Sequence, residues 1–283
     1  MLVEERARSV GNFMVGRLLP FRKKRQVGPF TFIDHMGPAT LGPQHYSDVD
    51  QHPHIGLSTL TYLLEGHIEH RDSAGHVQQI GPGDVGFMTS GRGVTHTERT
   101  PQTLRQGTLT MHGYQIWVAL PREREEMEPA FQFVPSEELP EWDEGNLRVR
   151  LVAGEGYGRK SPLQVYSPLF MVDVEARGPG LLDVQDQLQG EIAIVVTRGH
   201  VQTEGERIEQ GQMLISEAAA ECCLQLEAGT RLLLFGGEPF PEPRHMYWNF
   251  VSSRPERLEQ AKADWEAKRF PQVPGDDTYI PLP

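Results

Sequence analysis

Up to about residue 250, no stretch of this chain keeps a helical apolar rhythm for three turns. Short runs of strand-forming residues recur instead, at 57–64, 115–120, 163–166, 170–174, 191–197 and 231–235. Turn formers separate them: Asp-Ser-Ala-Gly at 72–75, Gly-Pro-Gly-Asp at 81–84, Ser-Gly-Arg-Gly at 90–93, Arg-Gly-Pro-Gly at 177–180 and Glu-Ala-Gly at 227–229. Many short strands split by such turns have few ways to bury their apolar faces, and the stable ones are sandwiches and barrels. The pattern therefore predicts an all-β fold. The 29 glycines and 22 prolines in 283 residues supply the turns without the repeat that a fibrous chain would show.

The same reading excludes several classes. A formal net charge of -12 is the wrong sign for a general nucleic-acid binder, so no direct nucleic-acid partner is expected. The longest apolar runs have five residues, as in Ile192 to Val196, whereas a membrane-spanning helix needs about 20. Glu4, Glu5, Arg6 and Arg8 interrupt the first residues, unlike a secretory signal, and the only cysteines, Cys222 and Cys223, are adjacent and poorly placed to bridge each other. A cytoplasmic location and a monomer are expected. The basic run Arg22-Lys23-Lys24-Arg25 reads as a solvated loop. Gly154-Glu155-Gly156-Tyr157-Gly158 lacks both the spacing of a phosphate loop and a following helical pattern, and no G-x-S-x-G elbow is present.

An internal echo divides the chain. Leu64-Glu65-Gly66-His67 is followed by a Gly-Pro-Gly-Asp turn, and Thr197-Arg198-Gly199-His200 by Gln210-Gly211-Gln212. Two copies of one β-domain are expected, over 1–125 and 126–250, with the Pro- and Glu-rich segment 121–144 joining them. The remainder, 251–283, reads as an amphipathic helix and an extended tail. Ser253 and Glu256 form a capping-box pattern, Leu258, Ala261 and Trp265 share one face, and Asp264 and Lys268 are an i,i+4 ion pair.

The histidines carry the chemistry. Nine of the 11 lie between His35 and His112. In an extended chain, residues two apart point the same way, so His52 and His54 converge, as do His96 and Glu98. On neighbouring strands the two pairs would offer three imidazoles and one carboxylate to a divalent first-row ion such as iron, manganese, nickel, copper or zinc. A lone His-x-His pair is weak evidence, being common among ordinary core and surface side chains. Here the two pairs bracket a hairpin, 67–79, of the kind that would bring their strands together. His45, His67, His70, His76 and His112 read as ordinary polar residues, and Phe87 and Met88 as core.

A longer set of motifs resembles the pirin family in order and spacing. It comprises Arg8-Ser9-Val10-Gly11, Gly28-Pro29-Phe30, Asp34-His35-Met36-Gly37-Pro38, His52-Pro53-His54-Ile55-Gly56-Leu57, Tyr62-Leu63-Leu64-Glu65-Gly66, Gly93-Val94-Thr95-His96-Thr97-Glu98, Gln115-Ile116-Trp117-Val118-Ala119-Leu120-Pro121 and Gly237-Glu238-Pro239. The tail after Pro241 looks like that of bacterial members. The resemblance implies a bicupin, two cupin-type β-sandwich or barrel domains plus the C-terminal helix, with metal only in the N-terminal domain. It implies His52, His54, His96 and Glu98 as ligands, Glu98 also as catalytic base, and Asp34, His35 and Gln115 as pocket residues. No organic cofactor is expected. The ion is one per chain, iron(II) first, with manganese, nickel, cobalt, copper or zinc as alternatives. Some pirins are quercetinases, so the resemblance implies a quercetin 2,3-dioxygenase-like oxidoreductase acting on an aromatic or enolic substrate with O2. The alternative is a non-enzymatic redox or metabolite sensor that binds a partner protein.

Overall fold

A computed structural model describes residues 1–43, 45–203, 205–216 and 223–283. Cys222 lies outside these residues, so the reading of the cysteine pair is left there. Among the described residues, strands dominate, and one α-helix, Pro255–Glu266, is present. No helix among them is long and apolar enough to cross a membrane.

The chain packs as two compact units. One comprises Met1–Arg6, Arg17–Phe32 and Glu137–Phe240, the other Ala7–Gly16, Ile33–Ser136 and Pro241–Pro283. This differs from a division at 125 and 250. N-terminal residues belong with the later unit, and the helix and tail with the earlier one. Nor is 121–144 a plain joint. Ala130–Val134 pairs with Val85–Thr89 in one sheet, and Glu141–Glu144 pairs with Leu147–Gly156 in another.

The internal echo is topological. In the histidine-bearing unit a four-stranded sheet runs in the order Asp48–His54, Val94–Arg99, Ile68–Asp72, Val77–Ile80. The other unit has Gly180–Asp183, Cys223–Leu226, His200–Gln202, Arg207–Glu209 in the same arrangement. The larger sheets correspond too, with Val85–Thr89, Leu57–Glu65 and Leu109–Ala119 adjacent in one and Gln212–Ser216, Glu191–Arg198 and Arg231–Gly237 in the other. Gly66 and Gly199 occupy the same bend, both in the left-handed region (φ 86° and 75°). A Cβ at Gly66 would lie 2.5 Å from the Thr110 carbonyl oxygen, so glycine is needed there for space as well as conformation.

What differs is the filling. In the unit without the histidine pairs, the strands equivalent to Asp48–His54 and Val94–Arg99 place Leu182 opposite Leu224, and both are buried in an aliphatic core with Val201, Leu226 and Leu234. That core buries apolar side chains where a metal site would need donors.

The helix packs Leu258, Ala261 and Trp265 inward against Ile55, Phe250 and Phe270, as its periodicity predicts. Its start does not follow the capping-box pattern. Arg254 occupies the cap position without a side-chain cap bond, and Pro255 opens the first turn. The Ser253 hydroxyl instead donates to the carboxylate of Glu125 (3.1 Å), which also accepts from Ser252 Oγ (2.8 Å) and the Ser253 amide (2.7 Å) and pairs with the buried Arg244 (3.2 Å). The buried acceptor outcompetes the local cap. Asp264 pairs with Arg269 (2.6 Å) rather than Lys268, because the chain turns left-handed at Lys268 (φ 53°).

The tail then returns across the Asp48–His54 strand. Gln51 is its anchor. The Gln51 side-chain amide donates to the carbonyls of Asp276 (3.2 Å) and Thr278 (2.9 Å) and accepts from the Val273 amide (2.7 Å), and the Gln51 carbonyl accepts from Ile280 (3.0 Å). Beside it, Arg99 bridges Asp276 (2.6 Å) and Asp50 (2.9 Å). Burial alone would raise the Asp276 carboxyl, but hydrogen bonds from Thr278 and Arg99 hold it below its ordinary value. A carboxyl lowered in the folded state stabilises above its unfolded pKa, about 3.9, and loses that contribution as pH falls through its folded value. Limited proteolysis of the tail should therefore be flat with pH down to about 4 and accelerate below it. The variant Asp276→Asn should be cleaved faster at neutral pH and lose much of that acceleration.

Candidate metal centre

Register builds the centre. Asp48–His54 and Val94–Arg99 are antiparallel, with His54 opposite Val94, Pro53 opposite Thr95 and His52 opposite His96. Alternation then turns all three imidazoles to one face. The pairing shifts between His96 and Glu98, which faces Val49, so one strand advances three residues while the other advances two. The resulting bulge falls at Asp50 and Gln51, where the tail is anchored.

The three histidine side chains are buried, and one nitrogen from each lies within 4.8 Å of the others, making this the one such cluster among the described residues. Ring centroids are 4.3 Å apart for His52 and His96, 4.9 Å for His54 and His96, and 5.1 Å for His52 and His54. Desolvation lowers the His52 pKa to about 4 and holds those of His54 and His96 well below the ordinary range. All three are therefore neutral at pH 7 and carry a lone pair. His52 Nδ1 bonds the Asp50 carbonyl (2.7 Å), which leaves its Nε2 as the basic nitrogen. His54 Nδ1 and His96 Nε2 are buried with no hydrogen-bond partner. An orphaned buried polar atom costs about 1–3 kcal/mol, and two such nitrogens in a cluster of three neutral imidazoles fit a divalent cation.

Glu98 is on the same strand face as His96, but its carboxylate is not part of the three-nitrogen cluster. Its Oε1 accepts from Gln115 Nε2 (2.9 Å) and lies 3.4 Å from Thr61 Oγ1, whose hydroxyl donates to Gln115 Oε1 (2.8 Å). Although part of its surface stays open, burial pushes Glu98 up to about 7, against the opposing hydrogen bonds of Thr61 and Gln115. Gln115 thus touches the site directly. Phe87 and Met88 are fully buried core residues.

Asp34 and His35 are buried. His35 stacks on Tyr114 (4.6 Å between centroids) and its Nε2 lies 2.9 Å from His112 Nε2. His112 is therefore a buried partner, not an ordinary surface residue. His70 is a second correction. It is 3% exposed, stacks on Phe131 (4.4 Å), and stands between His96 and Asp72. Strict alternation of Ile68, His70 and Asp72 on one face was the signal for it. Outside the site, Lys24 of the basic run is tied to Glu191, whose other oxygen accepts from the Gly28 amide (2.8 Å). Gly154–Gly158 forms a hairpin, with Gly156 opposite Arg159.

Residues 12–118 match the pirin family model, and residues 171–271 match the pirin C-terminal cupin domain. Over its whole length the chain is 46% identical to a pirin-like protein of Caulobacter vibrioides, covering 99% of that relative. The chain belongs to the pirin family. It is 37% identical, over 90% of its length and 80% of the relative, to a Pseudomonas aeruginosa protein provisionally named quercetin 2,3-dioxygenase. Its fold superimposes on the crystal structure of quercetin 2,3-dioxygenase from Acinetobacter baumannii with a TM-score of 0.93, at 32% identity, covering 100% of this chain and 94% of the other. The two-cupin architecture implied by the motifs is the one observed.

In the metal-free pirin, the Glu98 carboxyl stretch in the infrared should fade with a midpoint near pH 7. Gln115→Leu removes a bond to the charged form and should move that midpoint upward.

Proposed function

We propose that this pirin is a metal-dependent dioxygenase of the quercetin 2,3-dioxygenase type. It would open a flavonol or similar enolic substrate with O2 and release carbon monoxide. The observation that carries the reading is the convergence of three buried imidazoles beside a carboxylate, Glu98, on the strand that carries His96. The likeness to the Acinetobacter baumannii quercetin 2,3-dioxygenase over the full chain supports it.

His52 Nε2, His54 Nδ1 and His96 Nε2 would hold one divalent ion per chain, iron(II) first, and Glu98 is the candidate fourth ligand. When bound, the ion supplies Lewis acidity toward a substrate hydroxyl and a redox partner for O2.

The remaining chemistry belongs to the chain. Glu98 would take the substrate hydroxyl proton onto a carboxylate oxygen. Burial raises this carboxyl to about 7 in the metal-free protein, so it holds a proton weakly enough to exchange it, and a bound ion would favour the carboxylate form that a base needs. Gln115 Nε2 holds that carboxylate in place, and Thr61 orients Gln115. Trp117, edge-on to His54 at 5.1 Å, packs against the imidazole group. Asp34 and His35 are assigned no step.

The test is reconstitution of the protein with iron(II) and an assay of quercetin turnover that follows O2 uptake and carbon monoxide release. Glu98→Gln should lose about 10²–10⁴-fold in kcat, the usual worth of a general base, while ion remains bound to the histidines. Full activity in a metal-loaded Glu98→Gln protein would remove Glu98 from the base role. Absence of carbon monoxide from the loaded wild-type protein would contradict the reaction.

A further inference from the structure

We propose that Asp72 and His70 form a fixed-tautomer relay that decides which nitrogen of His96 faces the ion, making both of them positioning residues of the centre. The inference rests on the metal reading above and deepens it.

The Ile68–Asp72 strand lies on the other side of Val94–Arg99 from the His52 strand, pairing Asp72 with His96 and His70 with Glu98. Of the two Asp72 carboxylate oxygens only Oδ2 meets His70, at 3.2 Å from Nε2, while His76 Nδ1 reaches both, at 3.1 Å from Oδ1 and 2.9 Å from Oδ2. Oδ1 accepts from the Ala74 amide (2.9 Å) and the His76 amide (3.0 Å), closing the turn. Burial opposes ionisation of Asp72, but the hydrogen bonds from His70 and His76 hold its carboxyl below the ordinary value.

An ionised carboxylate only accepts, so His70 Nε2 bears the proton. His70 Nδ1, left with a lone pair, faces His96 Nδ1 at 3.3 Å. One proton fits between the two nitrogens, and it sits on His96. The lone pair of His96 is then at Nε2, the atom that is buried without a partner. A doubly protonated His70 would reverse this and drive the His96 proton onto Nε2, where no acceptor exists. Stacking of His70 on Phe131, nearly parallel at 15°, fixes the ring plane that the relay needs. The chain of bonds ends at His76, whose side chain is 42% exposed.

Asp72→Asn tests the relay with little disturbance to the turn. Its amide oxygen can keep the bonds to Ala74 and His76, while its NH2 replaces Oδ2 and donates to His70 Nε2. His70 must then protonate at Nδ1, and His96 at Nε2. The ¹⁵N spectrum of the metal-free wild-type protein should show His96 protonated at Nδ1, and that of Asp72→Asn should show it protonated at Nε2. Zinc(II) affinity, measured by chelator competition, should fall about 10–100-fold in the variant. His70→Phe, which keeps a ring on Phe131 but offers no acceptor, is the second variant and should lose affinity to a similar degree in protein that circular dichroism shows to be folded. An unchanged His96 tautomer in Asp72→Asn, or unchanged zinc affinity in both variants, would overturn the relay. Failure of the wild-type protein to bind zinc would overturn the metal reading instead, and the metal-free spectra would still decide the relay.

Discussion

The pairing of His52 with His96 across two antiparallel strands is the constraint on which the rest of the site depends. A slip of one residue would turn each imidazole to the opposite face of its sheet. Several features of the unit hold that register. The bulge at Asp50 and Gln51 brings Glu98 opposite Val49, and the tail closes over the bulge through the Gln51 amide. On the far side, the turn closed by Asp72 fixes the strand that carries His70. Residues distant in sequence thus converge on one strand pair.

Burial does the electrostatic work. Removing three imidazoles from water keeps them neutral, and neutral imidazole is the form that binds metal. The same desolvation, acting on the neighbouring Glu98 carboxyl, pushes it up to about 7 in the metal-free protein. One environment therefore keeps three imidazoles neutral and raises a neighbouring carboxyl, as the proposed ligand set and base require. The other unit shows the contrast. With the same strand order but leucines at the paired positions, it spends its interior on aliphatic packing.

Much of this was legible in the sequence because strand alternation is a local rule. His52, His54 and His96 were found by spacing, Gly66 and Gly199 by their echo, and the Trp265 face by helical period. The hairpin between the two histidine segments pointed to their pairing, and the motif resemblance supplied the bicupin architecture. What was not legible depended on long-range competition. Ser253 looked like a cap until Glu125, far away in the chain, claimed its hydroxyl. Lys268 looked like the partner of Asp264 until the chain turned left-handed there. His70 and His112 read as ordinary polar residues because burial of a polar side chain is decided by its partners, and His96 and His35 come from other strands. The assignment of the tail to the histidine-bearing unit likewise rests on contacts made by Gln51 that no local pattern announces.

The central claim is that three imidazoles from one strand pair hold a single ion. X-ray absorption on protein loaded anaerobically with one equivalent of iron(II) tests it directly. The account predicts scattering from three imidazole ligands in the wild-type protein and from two in His54→Ala. An oxygen-only shell, or a shell unchanged by His54→Ala, would contradict it.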